Sequence, residues 1–165
     1  MTFNTNPEDL PMKSIAIALL AVAISLAGVI ARSADAAPPA GYYKDQKVVY
    51  HNDGGGSDNT AYFKRMLNSI KNHVAAVGKD HLEIRVVSHS AGVELFQTAN
   101  TDKDLAARID AIKALGVSFL ICNNTLRERE IDWHTLYGVK EEDIVPSGVA
   151  ELARLQGMGF VYVHL

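Results

Sequence analysis

The chain has 165 residues, a length that suits one domain; 48% are hydrophobic and 21% charged, enough for an ordinary core and too apolar for a disordered tail. Its net charge of -3 offers no basic footprint, which excludes charge-driven binding of nucleic acid. Cys122 is the only cysteine, which excludes an internal disulfide.

The first segment stands apart. Ile15 to Ile30 is apolar except for Ser25, with Lys13 before it and Arg32-Ser33-Ala34-Asp35-Ala36 after it. A positive start, a short apolar stretch and an Ala-x-Ala step describe a secretory signal peptide over residues 1–36, with Met12 as an alternative start. The competing expectation is an uncleaved anchor, although a span needs about 20 residues. The protein is thus expected in the periplasm or outside the cell, off the membrane once cleaved. Losing residues 1–36 removes Lys13 and Arg32 but also Glu8, Asp9 and Asp35, so the balance stays slightly acidic. In an oxidising compartment an odd cysteine is intermolecular or a reactive thiol. The bland alternative is an inert, buried cysteine packed as a small hydrophobe.

Residues 37–46 read as a polar lead-in and 47–165 as one α/β domain. Lys47 to Tyr50 forms a short strand ending in His51-Asn52-Asp53 and three glycines. Ser57 or Asp58 caps a helix whose inner face is Phe63, Met66, Leu67, Ile70, Val74 and Val77, closed by Gly78. Leu82 to Ser88 is a second strand, followed by His89-Ser90-Ala91-Gly92, a short apolar segment (Val93 to Phe96) and a polar break. Thr101 is expected to cap a helix over Asp102 to Leu115, with Asp104 three residues on. A third strand runs to Ile121 and Cys122, and Asn123 to Glu130 begins as a helical turn. Asp143 to Val145 is a short edge strand and Ser147 caps a helix carrying Val149, Leu152 and Leu155. Phe160 to His164 is the last strand. Strands alternating with helices predict a small doubly wound, mostly parallel sheet of four to five strands flanked by helices.

In such sheets ligands bind beyond the carboxyl ends of the strands. His51-Asn52-Asp53, Ser88-His89-Ser90 and Cys122-Asn123-Asn124-Thr125 all end strands, so neighbouring strands would gather them on one rim. Polar strand ends are also common where nothing binds. Cys122 precedes a helix start, where free N–H groups lower a thiol pKa. His51 or His89 would tune the thiol or take its proton. Such a thiolate can attack sulfane sulfur and hold it as a persulfide. With no second cysteine it cannot close an intramolecular disulfide, which argues for carrying or transferring a group. Asn52, Asp53, Ser90, Asn123, Asn124 and Thr125 would line the substrate pocket. Gly54-Gly55-Gly56 lacks the Lys-Ser/Thr of a phosphate loop and reads as a turn. Cys122, His51 and His89 suit zinc in residue type, but no short-spaced pair supports a site, so neither metal nor cofactor is assigned. His73, His81 and His134 read as packing or surface residues, and Arg127 to Glu130 as a solvated face. Trp133, Tyr137 and Val139 cover the cleft or a subunit contact.

The segment Val117-Ser-Phe-Leu-Ile-Cys-Asn-Asn-Thr-Leu126 resembles the V-x-F-x-x-C-x-N-T-L stretch of the DsrE/DsrF-like family. Ile84 to Leu95 is similar to that family's V-V-x-H-G-x-G-x-x-L stretch, and Val145 to Gln156 with Gly159 to Tyr162 to its C-terminal block. The resemblance implies a flavodoxin-like fold, homo-oligomers (trimers or hexamers), and sulfur relay or oxidation with Cys122 as the carrier. It also implies partners that donate and accept sulfur, as proteins or small sulfur compounds. The chain departs from the pattern at Ser90, where the family often has Gly, and in its exported N-terminus. The sulfur-relay members are cytoplasmic, so their partners do not carry over. The alternative function is a non-catalytic oligomeric module that binds a small ligand or partner in the same cleft.

Overall fold

The protein is described from a computed structural model, which covers residue 39 and residues 41–165. The expected signal segment lies outside the described residues. Among those residues no helix is long and apolar enough to cross a membrane.

Five parallel strands form one sheet: β1 (Gln46–Asn52), β2 (Leu82–Ser88), β3 (Ser118–Cys122), β4 (Ile144–Val145) and β5 (Val161–Val163). Their order is β4-β3-β2-β1-β5. The chain therefore steps one strand at a time from β1 to β4, then crosses the sheet to place β5 beside β1. The helices are α1 (Asn59–Val77), α2 (Glu94–Thr98), α3 (Lys103–Ala114), α4 (Asn123–Glu128) and α5 (Gly148–Gly157).

Central strands covered on both faces need apolar residues at every position, and β1 and β2 show this in Val48-Val49-Tyr50 and Val86-Val87. One face is the larger core, where Val48, Tyr50, Ile84, Val86, Phe119 and Ile121 meet Phe63, Met66, Ile70, Phe96, Leu105 and Ile109. The other is a smaller cluster of Val49, Val87, Leu152, Leu155 and Phe160, which α5 covers. Each fully buried Leu, Val or Phe contributes about 1.5–3 kcal/mol, so most of the hydrophobic stabilisation comes from the first face.

Several local expectations change. Asp102, not Thr101, caps α3: its carboxylate accepts from Leu105 N–H at 3.0 Å and pairs with Lys64 at 2.8 Å. The Thr101 hydroxyl donates instead to Thr98 O. The expected polar break is shorter, because a 3-10 turn (Ser90–Val93) runs into α2 and on to Thr98. Val149 faces outward at 65% exposure, so α5 buries only Leu152 and Leu155 of its predicted face. Trp133, Tyr137 and Val139 are half-buried against the larger core.

Candidate functional site

Alternation along the strands decides which side chains meet. Val49, Val87 and Leu120 lie on the α5 face, so two residues further on His51, His89 and Cys122 emerge on that face at the carboxyl ends. The pairing Val49↔Tyr162 adds Tyr162 and then His164 on the same side. Across the sheet the order is Cys122, His89, His51 and Tyr162, one from each of four successive strands.

Cys122 is the N-cap of α4 and only 5% exposed. Burial pushes its thiol pKa up, but several donors outweigh this and hold it below the ordinary thiol value. They are the backbone N–H groups of Gly148, Thr125 and Asn124 and the hydroxyl of Thr125. Two helix starts thus aim at one sulfur: α4, which Cys122 begins, and α5, whose first residue is Gly148.

Gly148 explains how α5 comes so close. A Cβ there would lie 3.0 Å from His89 Cβ and 3.1 Å from Cys122 Cβ. Any larger residue would have to push one of them aside by a few tenths of an ångström, and the glycine marks the point where His89 and Cys122 share a wall. Thr125 ties the rim together, since its hydroxyl oxygen accepts from Ser90 N–H at 3.0 Å and its hydroxyl serves the sulfur. Ser90 itself sits at φ 50°, a left-handed conformation that costs a non-glycine residue about 1–2 kcal/mol. Its Oγ lies 2.9 Å from His89 Nδ1. The serine that stands where the family often has glycine thus adopts a backbone conformation that favours glycine and adds a partner for the imidazole. Thr125→Val is expected to raise the Cys122 pKa and to cost about 0.5–1.5 kcal/mol, because the part-buried Ser90 N–H loses its acceptor. The pH profile of thiol labelling and urea unfolding check the two halves separately, and unchanged values in both would contradict this network.

His51 and His89 join through their Nε2 atoms at 2.6 Å, and His51 Nδ1 lies 2.6 Å from the Tyr162 hydroxyl. One proton lies between the two Nε2 atoms, so a second charge on the pair would break their bond. Burial lowers both imidazole pKa values. For His51 the Asp53 carboxylate offsets part of this, and His89 and His164 push it further down. A histidine depressed in the folded state gives stability that is complete above the unfolded value near 6.5 and is lost as pH falls below it. The urea midpoint should therefore drop between pH 7.5 and 5.5. The drop should be smaller in a His51→Gln/His89→Gln double variant, with His73, also lowered by burial, supplying a remainder. Equal drops in both proteins would contradict the assignment.

The remaining predicted residues divide. Asp53 accepts from His164 Nε2 at 2.9 Å and lies 4.0 Å from His51 Nε2. Asn124 contributes its backbone N–H, while Asn123 lines a separate cavity of ≈ 340 Å³ with Arg127 and Trp133. Asn52 is fully buried on the opposite face, where its amide donates to Ser88 Oγ and Gly92 O and its Oδ1 has no partner. It joins strand ends together and does not reach the rim. Sequence reasoning missed Gly148, Tyr162 and His164. A parallel pairing of the last strand with the first would have placed the latter two beside His51.

A model of the DsrE/DsrF-like family matches residues 2–165, and the chain belongs to that family. No curated protein matches it. Among solved structures it is similar to a protein of unknown function, MTH1491, from Methanobacterium thermoautotrophicum. The two are 28% identical with a TM-score of 0.60 over 73% of this chain and 100% of the other.

Proposed function

We propose that the protein carries sulfane sulfur as a persulfide on Cys122, as part of the sulfur relay that membership of its family suggests. The observation that supports this best is the thiol pKa held low by donors from Gly148, Asn124 and Thr125 despite burial. The Cys122 proton passes to the neutral histidine pair. The thiolate attacks the outer sulfur of a persulfide or polysulfide donor. A new S–S bond forms at Cys122, the donor's S–S bond breaks, and the leaving thiolate recovers the proton. No net oxidant is needed, because one S–S bond replaces another. The same N–H groups then hold the terminal persulfide anion.

The reading extends to a homo-oligomer, trimer or hexamer, working in the periplasm or outside the cell with its own sulfur donor and acceptor. Val149, Met158, Val161, Tyr162 and Leu165 leave large apolar side chains exposed around α5 and β5, which supports contact between copies.

The second reading is a non-catalytic module binding a ligand or partner at the same rim, and the burial of Cys122 favours it. Iodoacetamide labelling of the folded protein across pH separates the two. Labelling with an apparent pKa below that of a free thiol supports the carrier. A thiol that reacts only on unfolding supports the module.

A further inference from the structure

We propose that His51, Asp53 and His164 form a binding site for a divalent transition-metal ion of the zinc class. One ligand atom from each residue lies within 4.8 Å of the other two. The residues come from the ends of two strands, and the pairing Tyr50↔Val163 fixes them side by side. Two imidazoles and one carboxylate suit zinc and its neighbours rather than magnesium or calcium, which take oxygen.

The spacing is close to what a metal needs. Zinc bonds of about 2.0–2.1 Å in a tetrahedron set ligand atoms about 3.3 Å apart. The Asp53 carboxylate lies between the two imidazoles, with Oδ1 2.9 Å from His164 Nε2 and Oδ2 4.0 Å from His51 Nε2, and a metal would draw the three groups slightly closer together. A metal-bound histidine characteristically has its other ring nitrogen held. The Tyr162 hydroxyl, 2.6 Å from His51 Nδ1, does this, and at Nε2 the metal would take the place of the proton shared with His89. Asp53 and His164 are part-exposed, at 35% and 43%, so an ion can enter from solvent. The site contains no sulfur but shares His51 with the persulfide reading, and zinc titration of Cys122→Ala tests the metal without the thiol.

The test is calorimetric titration of chelator-stripped protein with zinc chloride, alone and in variants. The site predicts one zinc per chain. Affinity should fall about tenfold or more in both His164→Ala and Asp53→Asn, and should not change in Cys122→Ala. The His164 side chain is largely exposed, so its removal does not threaten the fold, and it decides the matter alone if Asp53→Asn does not fold. The absence of saturable binding, or zinc affinity indifferent to His164→Ala, overturns the site. Binding lost with Cys122→Ala would place the metal elsewhere and overturn it equally.

Discussion

Gly148→Ala is expected to raise the Cys122 pKa and to slow thiol labelling at neutral pH by about tenfold or more. The added methyl would meet His89 Cβ at 3.0 Å, Cys122 Cβ at 3.1 Å and His89 Cδ2 at 3.3 Å. Contacts that tight push the start of α5 away from the rim. Its first N–H then draws back from the Cys122 sulfur, which depends on it to offset burial. A hydrogen bond to a charged group is worth about 1.5–3 kcal/mol, and about 1.4 kcal/mol is tenfold in an equilibrium, which sets the size of the effect on labelling. The labelling rate against pH reads it directly. A profile superimposable on wild type would mean that Gly148 does not hold the thiolate.

Gly92→Ala is expected to have the larger effect on stability, a loss of about 3 kcal/mol at the upper end of overpacking costs. A Cβ at this position would run into the backbone oxygen of Asn52, with the carbonyl carbon at 2.6 Å and the Asn52 Cγ at 2.9 Å. Backbone cannot swing aside as a flexible side chain can. The same Asn52 oxygen accepts from His89 N–H at 3.0 Å, and Gly92 O accepts from the Asn52 amide at 2.9 Å. The substitution therefore loosens the end of β1 and the loop that carries His89. Urea unfolding should show a lower midpoint with an unchanged slope. A midpoint equal to wild type would contradict the close approach.

The sheet was legible because burial on both faces writes itself into the chain as continuous apolar runs, such as Val48-Val49-Tyr50 and Phe119-Leu120-Ile121, between helices with a buried stripe. The gathering of His51, His89 and Cys122 was legible for the same reason, since each stands where an apolar run stops. Other parts of the site depend on placement that local pattern does not carry. Asn52 looks like its neighbours in sequence, yet β1 extends through it, and alternation turns it to the opposite face. Tyr162 and His164 join the site because β5 returns beside β1 and not beyond β4, a choice made by the crossover of α5. Gly148 carried a weak local signal, a glycine at the first turn of an amphipathic helix, but only the fold supplies the two side chains it must clear. The burial of Cys122 follows from α5 lying over it. Periodicity alone placed the thiol at a strand end and left its cover unspecified.

The protonation of the rim follows from the same crowding. His51 and His89 stay neutral at neutral pH because burial opposes their charge. Cys122 is held below the ordinary thiol value by backbone N–H groups and a hydroxyl rather than by a nearby cation. A neutral base beside an easily ionised thiol suits a group that must be loaded and unloaded near neutral pH.

Loading the folded protein with polysulfide and weighing it intact tests the central claim most directly. Wild type should gain about 32 Da, one sulfur atom, in a form that a reductant removes, and Cys122→Ala should gain nothing. Wild type that takes up no sulfur from polysulfide, thiosulfate or a small persulfide, or Cys122→Ala that takes up as much, would contradict it.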